Sequence, residues 1–389
     1  MNTLFYRYGS ICEPDIIDAL MEYGINVIEE TVEVNNKNIT ASQKADIVSK
    51  RLFEREYAFV FSVNYFPEIS SVCNIFKIPY ISLIVDSPII ELYSDTISNS
   101  CNRIFLFDSE LYREFAPQNP DGIFYIPLAS NTKRWDKIIE IGTGDFHSDI
   151  SFVGSLYTEK CRYNKLSFPS DRVKGYIDGI IESQLKVYGY FFIEELLTDQ
   201  LVRDILADSD DLAEFAECYK DYYRQIIAQL YLGTQVTVRE RFELFKRISE
   251  KYNVDIYTGS DTGNLPKLNN RGMAKTHTEM PLIFNQSKIN INPTAKPIRA
   301  GIPLRVFDVL GCGGFLITNH QNDLADCFTA GEHLAVYDSL DCLDELLRYY
   351  LEHPKERMEI ARNGYEHVKK YHTYTIRIGQ IISKVFSKE

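Results

Sequence analysis

Residues 298–316 read IRAGIPLRVFDVLGCGGFL. A glycine turn leads to Pro303, an apolar run of helical spacing follows, and Cys312-Gly313-Gly314 closes it before a new apolar strand. Proline suits a helix start, where its missing N–H costs nothing and its fixed φ favours entry. The spacing therefore predicts a helix whose first N–H groups, on Leu304, Arg305 and Val306, point outward, where the helix dipole favours negative charge. Gly301 allows close backbone approach, and Arg305 adds a forked cation suited to phosphate. Asp308, one turn further in, could accept hydrogen bonds from a ribose. Spacing alone supports an ordinary βα unit with a Gly-rich end about as well as an anion site.

The same rhythm extends in both directions. VDIYTGS and SKININPT precede this unit, and GFLITN and EHLAVYDS follow it, each a short apolar run between helical stretches. Earlier, TLFYRYG, INVIEETVE, YAFVFSVN, PYISLIVDSP, NRIFLFDS and GIFYIPLAS alternate with amphipathic segments such as EPDIIDALMEYG and residues 41–54. Such alternation predicts parallel sheets covered by helices on both faces, with ligands beyond the carboxyl ends of the strands. The pattern restarts at DISFVGSLY, residues 149–157, and is then interrupted by a polar and aromatic helical region. We expect an α/β chain with a Rossmann-like domain over residues 1–147 and a second over 148–372. The second would carry a helical insertion at about 165–238, and a last helix, 373–389, would cross back to the first domain.

The bulk composition excludes several classes. At 389 residues the chain exceeds one ordinary core, so two domains are the natural expectation. The net charge of -13 and the lack of a dense Lys/Arg stripe argue against a nucleic-acid partner. There is no apolar run of about 18 residues, the length that would predict a transmembrane segment, and MNTLFYRYGSICEPD does not read as a signal peptide. Eight scattered cysteines without a close pair fit reduced thiols in a cytoplasmic protein better than a disulfide frame or a zinc site.

Other strand ends add candidates. In FVGSLYTEK, Gly154 and Ser155 would expose amides, and Lys160 could balance a diphosphate. IYTGS contributes Gly259, with Tyr257 placed to flank a base, and Asn292 ends SKININPT. Each taken singly reads as a solvated turn or a core residue; together they favour a nucleotide site. In the first domain Asp86 and Asp108 end strands and are the candidate bases, since all seven histidines lie at or after His147. Asp208-Ser209-Asp210 matches the DxD pattern of metal-dependent sugar transferases but reads better as a solvated helix start, and His320 reads as a loop histidine. No GxSxG elbow or Walker A sequence is present.

INPTAKPIRAGIPLRVFDVLGCGGFLITN and the segment TAGEHLAVYDSLDCLDELLRYYLEHPKERMEIARNGYEHVKKYHTY resemble the C-terminal half of GT-B glycosyltransferases. The resemblance is to CgeB-type spore-maturation proteins and, more distantly, to family 4 retaining enzymes. It spans roughly residues 240–380, and VDSP, IPLASNTKRW and DISFVGSLY look like the domain that precedes it in the same proteins. It implies a GT-B fold of two Rossmann-like domains facing a central cleft, and a nucleoside-diphosphate sugar as donor, UDP-sugar favoured. It further implies a protein or glycan acceptor, with no further cofactor and no metal. Asp308 stands where family 4 has its ribose-binding glutamate, and Lys160 matches an expected lysine. Ala300 occupies the place of the glutamate that contacts the donor sugar, next to Arg299, and Ser155 replaces an arginine. In the expected reaction Arg305 stabilises the departing diphosphate, and Asp86 serves as base if the route is inverting; resemblance leans to retaining. A non-catalytic nucleotide-sugar-binding scaffold and a sugar-nucleotide epimerase are the alternatives.

Overall fold

The computed structural model describes residues 1–213, 215 and 217–386, so the final three residues of the expected 373–389 helix lie outside the described residues. The chain divides into two compact units, Met1–Ala129 with His372–Glu389, and Ser130–Tyr371. Each contains a six-stranded sheet whose pairings are all parallel.

The first unit contains β1 (Asn2–Tyr6), β2 (Asn26–Glu30), β3 (Phe59–Val63), β4 (Tyr80–Leu83), β5 (Asn102–Leu106) and β6 (Ile123–Tyr125), ordered β2-β1-β3-β4-β5-β6. FVFSV and YISL are buried along their whole length, as parallel strands covered on both faces must be. The Ala41–Glu54 helix begins where Thr40 and Gln43 form a reciprocal capping box, which fixes the start read from the sequence. The Tyr374–Phe386 helix packs on the Glu13–Glu22 helix within this unit.

The second unit contains β7 (Ile150–Val153), β8 (Val254–Tyr257), β9 (Asn269–Asn270), β10 (Ile289–Asn292), β11 (Leu316–Asn319) and β12 (Ala335–Tyr337), ordered β12-β11-β10-β7-β8-β9. From β7 the chain builds outward through β8 to β9, then returns to lay β10 on the other side of β7. This is the 3-2-1-4-5-6 order of dinucleotide-binding sheets, and the direction of winding reverses between β7 and β10. Ile150, Phe152, Ile256, Ile289 and Ile291 from the strands pack with Leu244, Phe245 and Ile248 of the Thr234–Ser249 helix. The two-residue β9, Asn-Asn, has no apolar signature and was not expected.

Between β7 and β8 the described residues form helices, including Asp171–Gln184, Ile193–Leu196 and Asp199–Asp208, and no strand. A π-helical turn, Ile227–Gly233, runs directly into the Thr234–Ser249 helix. The Thr132–Ile141 helix packs on the Met280–Gln286 helix and so lies in the second unit, although the expected boundary at 147 placed it in the first.

The Cys312-Gly313-Gly314 run ends the Leu304–Gly311 helix by two separate requirements. Gly313 adopts φ 72° and donates its N–H to Leu310 C=O at 2.9 Å, a left-handed stop that glycine adopts without a Cβ clash. Gly314 has no room: a Cβ there would lie 2.5 Å from the Phe284 carbonyl oxygen. Gly314→Ala should therefore destabilise the protein by about 2 kcal/mol, more than Gly313→Ala at about 1 kcal/mol. Thermal melting of the two variants checks the ranking, and a Gly314→Ala protein that melts with wild type would contradict the packing.

Candidate functional site

The carboxyl ends of β7 and β10 flank the reversal point, where doubly wound sheets bind ligands. At β7, Gly154 donates its N–H to Tyr257 C=O at 3.1 Å. The amide expected to face an anion is thus part of the sheet, and Gly154 offers a ligand close approach only. Ser155 Oγ accepts from Tyr157 N–H at 2.6 Å. Tyr157 has φ 70°, rare for a residue with a Cβ and a feature that clusters at functional sites. Its ring lies 5.0 Å from the Lys160 ammonium, which is exposed and makes no ion pair among the described residues. Ser260 Oγ accepts from Leu156 N–H at 2.8 Å and donates to Glu159 at 2.9 Å, tying the β7 and β8 loops together.

Tyr257 is buried, its ring 6.4 Å from Phe146, while Gly259 is exposed beside the Met273 side chain. At the β10 end, Asn292 Nδ2 donates to Thr294 Oγ1 at 3.0 Å and Thr318 Oγ1 at 2.9 Å. This side-chain amide, expected to meet a nucleotide, shapes the loop instead. Gln321 Nε2 donates to the Ile298 and Gly301 carbonyls, both at 3.1 Å, and Asp323 N–H reaches Ala300 C=O at 3.1 Å. Arg299 pairs with Glu194 of the insertion at 3.4 Å. The loop is thereby held from β11 and from the insertion at once.

Pro303 is the N-cap itself, φ -68° and ψ 154°, rather than a residue of the first turn. Val306 N–H donates to Pro303 C=O at 3.0 Å, so the outward-facing donors are two, Leu304 and Arg305, not the expected three. No side chain caps them, and among the described residues neither has an acceptor. The Arg305 guanidinium lies 5.2 Å from the Phe284 ring with Nη1 2.9 Å from Met280 Sδ. Burial lowers its proton affinity, an effect Asp308 opposes. Asp308 is buried one turn into the helix.

The twelve expected nucleotide-binding residues thus lie in the strand ends, the loops and the helix at the carboxyl edge of the second sheet, whereas Asp86 belongs to the first unit. Asp86 is exposed and receives Asn64 Nδ2 at 2.8 Å; Asn64 itself sits at φ 57° at the β3 end. Asp108 is fully buried and caps the Ser109–Phe115 helix, accepting from Glu110 and Leu111 N–H, which removes it as a base. His320 is exposed and lies 3.2 Å from Asn322 Oδ1.

Sequence reading missed Arg241. It projects from the Thr234–Ser249 helix and is 7% exposed. Nη1 donates to Ser155 C=O and Nη2 to Pro293 C=O at 2.7 Å, one carbonyl on each side of the reversal point. Its guanidinium lies 4.7 Å from the Tyr157 ring and 5.4 Å from the Phe152 ring. Thr237 and Glu240 share this helix face: Thr237 Oγ1 accepts from Lys296 N–H at 3.0 Å, and buried Glu240 pairs with Lys296 Nζ at 3.3 Å. The signal was available in VTVRERFELF, where two charges fall among the apolar positions of the buried helix face.

Residues 239–383 match a family model described as glycosyl transferase-like. Comparison with curated proteins finds no match. Among solved structures, sucrose-phosphate synthase from Thermosynechococcus elongatus is 11% identical with a TM-score of 0.53, covering 100% of this chain and 99% of that one. HepE from Anabaena, solved with UDP and glucose, is 11% identical with a TM-score of 0.53 and full coverage of both chains at 100%. The T4 phage BGT, in complex with its UDP-glucose substrate, is 10% identical with a TM-score of 0.50, also covering 100% of both. At such identities the likeness establishes the fold. No helix among the described residues is long and apolar enough to cross a membrane. The chain has a GT-B fold, and its residues 239–383 are similar to the glycosyl transferase-like family.

Proposed function

We propose that the protein transfers a sugar from a nucleoside-diphosphate sugar, preferentially a UDP-sugar, to a protein or glycan acceptor, in the manner of the CgeB-type proteins it resembles. The uncapped start of the Leu304–Gly311 helix, beside the reversal point of a 3-2-1-4-5-6 sheet, carries this reading. The donor class is supported by HepE and T4 phage BGT, solved with UDP or UDP-glucose on the same fold. In the reaction the bond between the anomeric carbon and the diphosphate oxygen breaks, and the electron pair leaves with the diphosphate. The Leu304 and Arg305 amides, with the Lys160 and Arg305 side chains, stabilise that developing charge without a metal. In an inverting route Asp86 takes the acceptor proton; in a retaining route, which the family resemblance favours, the departing diphosphate takes it.

A second reading rests on Ala300, which is fully buried and carries no carboxylate for the donor sugar. On that reading the site binds nucleotide sugar without turning it over. UDP at about 100 times its Kd should raise the melting temperature by roughly 5 to 10 °C, and a panel of UDP, GDP and their sugars identifies the base. No shift with any of them would refute the donor site. Release of UDP from a UDP-sugar, with or without an acceptor, separates transferase from binder.

A further inference from the structure

We propose that Arg241 is the buried cation of the donor's diphosphate subsite, clamping the two strand ends at the reversal point and offering its remaining N–H groups to the anion. The proposal rests on the donor reading above and adds a residue from the helix that follows the insertion. A guanidinium carries five N–H donors; Arg241 uses one on Ser155 C=O and one on Pro293 C=O, while its buried Nε–H has no partner among the described residues. Leaving a donor of a buried charged group unanswered costs free energy unless a ligand completes it.

The charge balance points the same way. In the buried cluster on this face, the Glu240 carboxylate answers two cations, Lys296 and Arg241, and only Lys296 is within ion-pair distance of it. Arg305, on the Leu304–Gly311 helix, repels Arg241, adding to the burial that already lowers the proton affinity of Arg241. A surplus positive charge held in the interior is destabilising by itself; an anion at the reversal point relieves it. Arg241 also places a cation at the β7 end, where Ser155 itself offers none. Here the guanidinium reaches the same strand end from the helix, bonded to the carbonyl of Ser155 itself.

Isothermal calorimetry of wild type, Arg241→Lys and Arg241→Met with UDP, uridine and inorganic pyrophosphate tests this. Arg241→Met should weaken UDP and pyrophosphate by roughly 10- to 100-fold and leave uridine within about threefold. Arg241→Lys, which keeps the charge but loses the fork, should fall between and provides the comparison if the methionine variant does not fold. Unchanged UDP affinity in the variants, or equal losses for uridine and UDP, would overturn the assignment and leave the donor reading standing. Wild type that binds pyrophosphate through Arg241 but no nucleotide would confirm the anion site and sink the donor reading.

Discussion

Lys296→Met is expected to lower the melting temperature by roughly 10 °C, about 3 to 5 kcal/mol, although methionine nearly matches the lysine stem in volume. Lys296 is 7% exposed and Glu240 3% exposed. Their heads are 3.3 Å apart, and Lys296 Nζ also donates to Val187 C=O at 3.2 Å and lies 4.1 Å from the Tyr188 ring. Removing the ammonium leaves Glu240 charged and buried among phenols whose own ionisation is already suppressed by burial and by that carboxylate, Tyr188 and Tyr337. Breaking a buried pair costs more than replacing it whole. Lys296→Met with Glu240→Leu should therefore recover most of the lost stability, and a double variant no better than the single would show that the pair is not what holds this face.

What could be read from the sequence followed from local chemistry. FVFSV announces itself as a buried parallel strand because an apolar run of that length has few other uses beside amphipathic helices. The Leu304–Gly311 helix was legible from its apolar period and its glycine stop, and the neighbouring strand ends together with the family resemblance supplied the reason to see a nucleotide in it. What escaped depends on pairing between distant segments. Whether the Gly154 amide faces a ligand is decided by the register of β7 on β8, which gives that N–H to Tyr257 C=O. Whether Asn292 faces a ligand is decided by Thr318 on the neighbouring strand. Arg241 lies 86 positions from the Ser155 carbonyl it binds, and only the sheet order shows that this carbonyl and that of Pro293 border one reversal point. Asp108 could be read as a strand-end carboxylate but not as a cap, because both roles share the same local pattern, a strand followed by a helix.

Leu304→Pro should lower kcat/KM for the donor by about 100-fold while moving the melting temperature by no more than a few degrees. Leu304 is the first residue of its helix and its N–H has no acceptor among the described residues, so proline deletes a donor the fold does not use. The preceding residue, Pro303, already has ψ 154°, the extended backbone that a following proline requires. Proline at the first helical position also supplies the φ that the helix needs. The side chain is controlled by Leu304→Ala, which keeps the N–H and should retain near-normal turnover. Steady-state kinetics and melting on the two variants read out the N–H group separately from the apolar contact. A Leu304→Pro protein that melts like wild type and turns over donor at the wild-type rate would show that this helix start does not hold the diphosphate. An equal loss in Leu304→Ala would assign the effect to packing instead. Because the helix start is oriented by Gln321 on the Gly301 carbonyl, Gln321→Ala should reproduce part of the kinetic loss with every amide still present, linking the loop's hydrogen bonds to the placement of the donor.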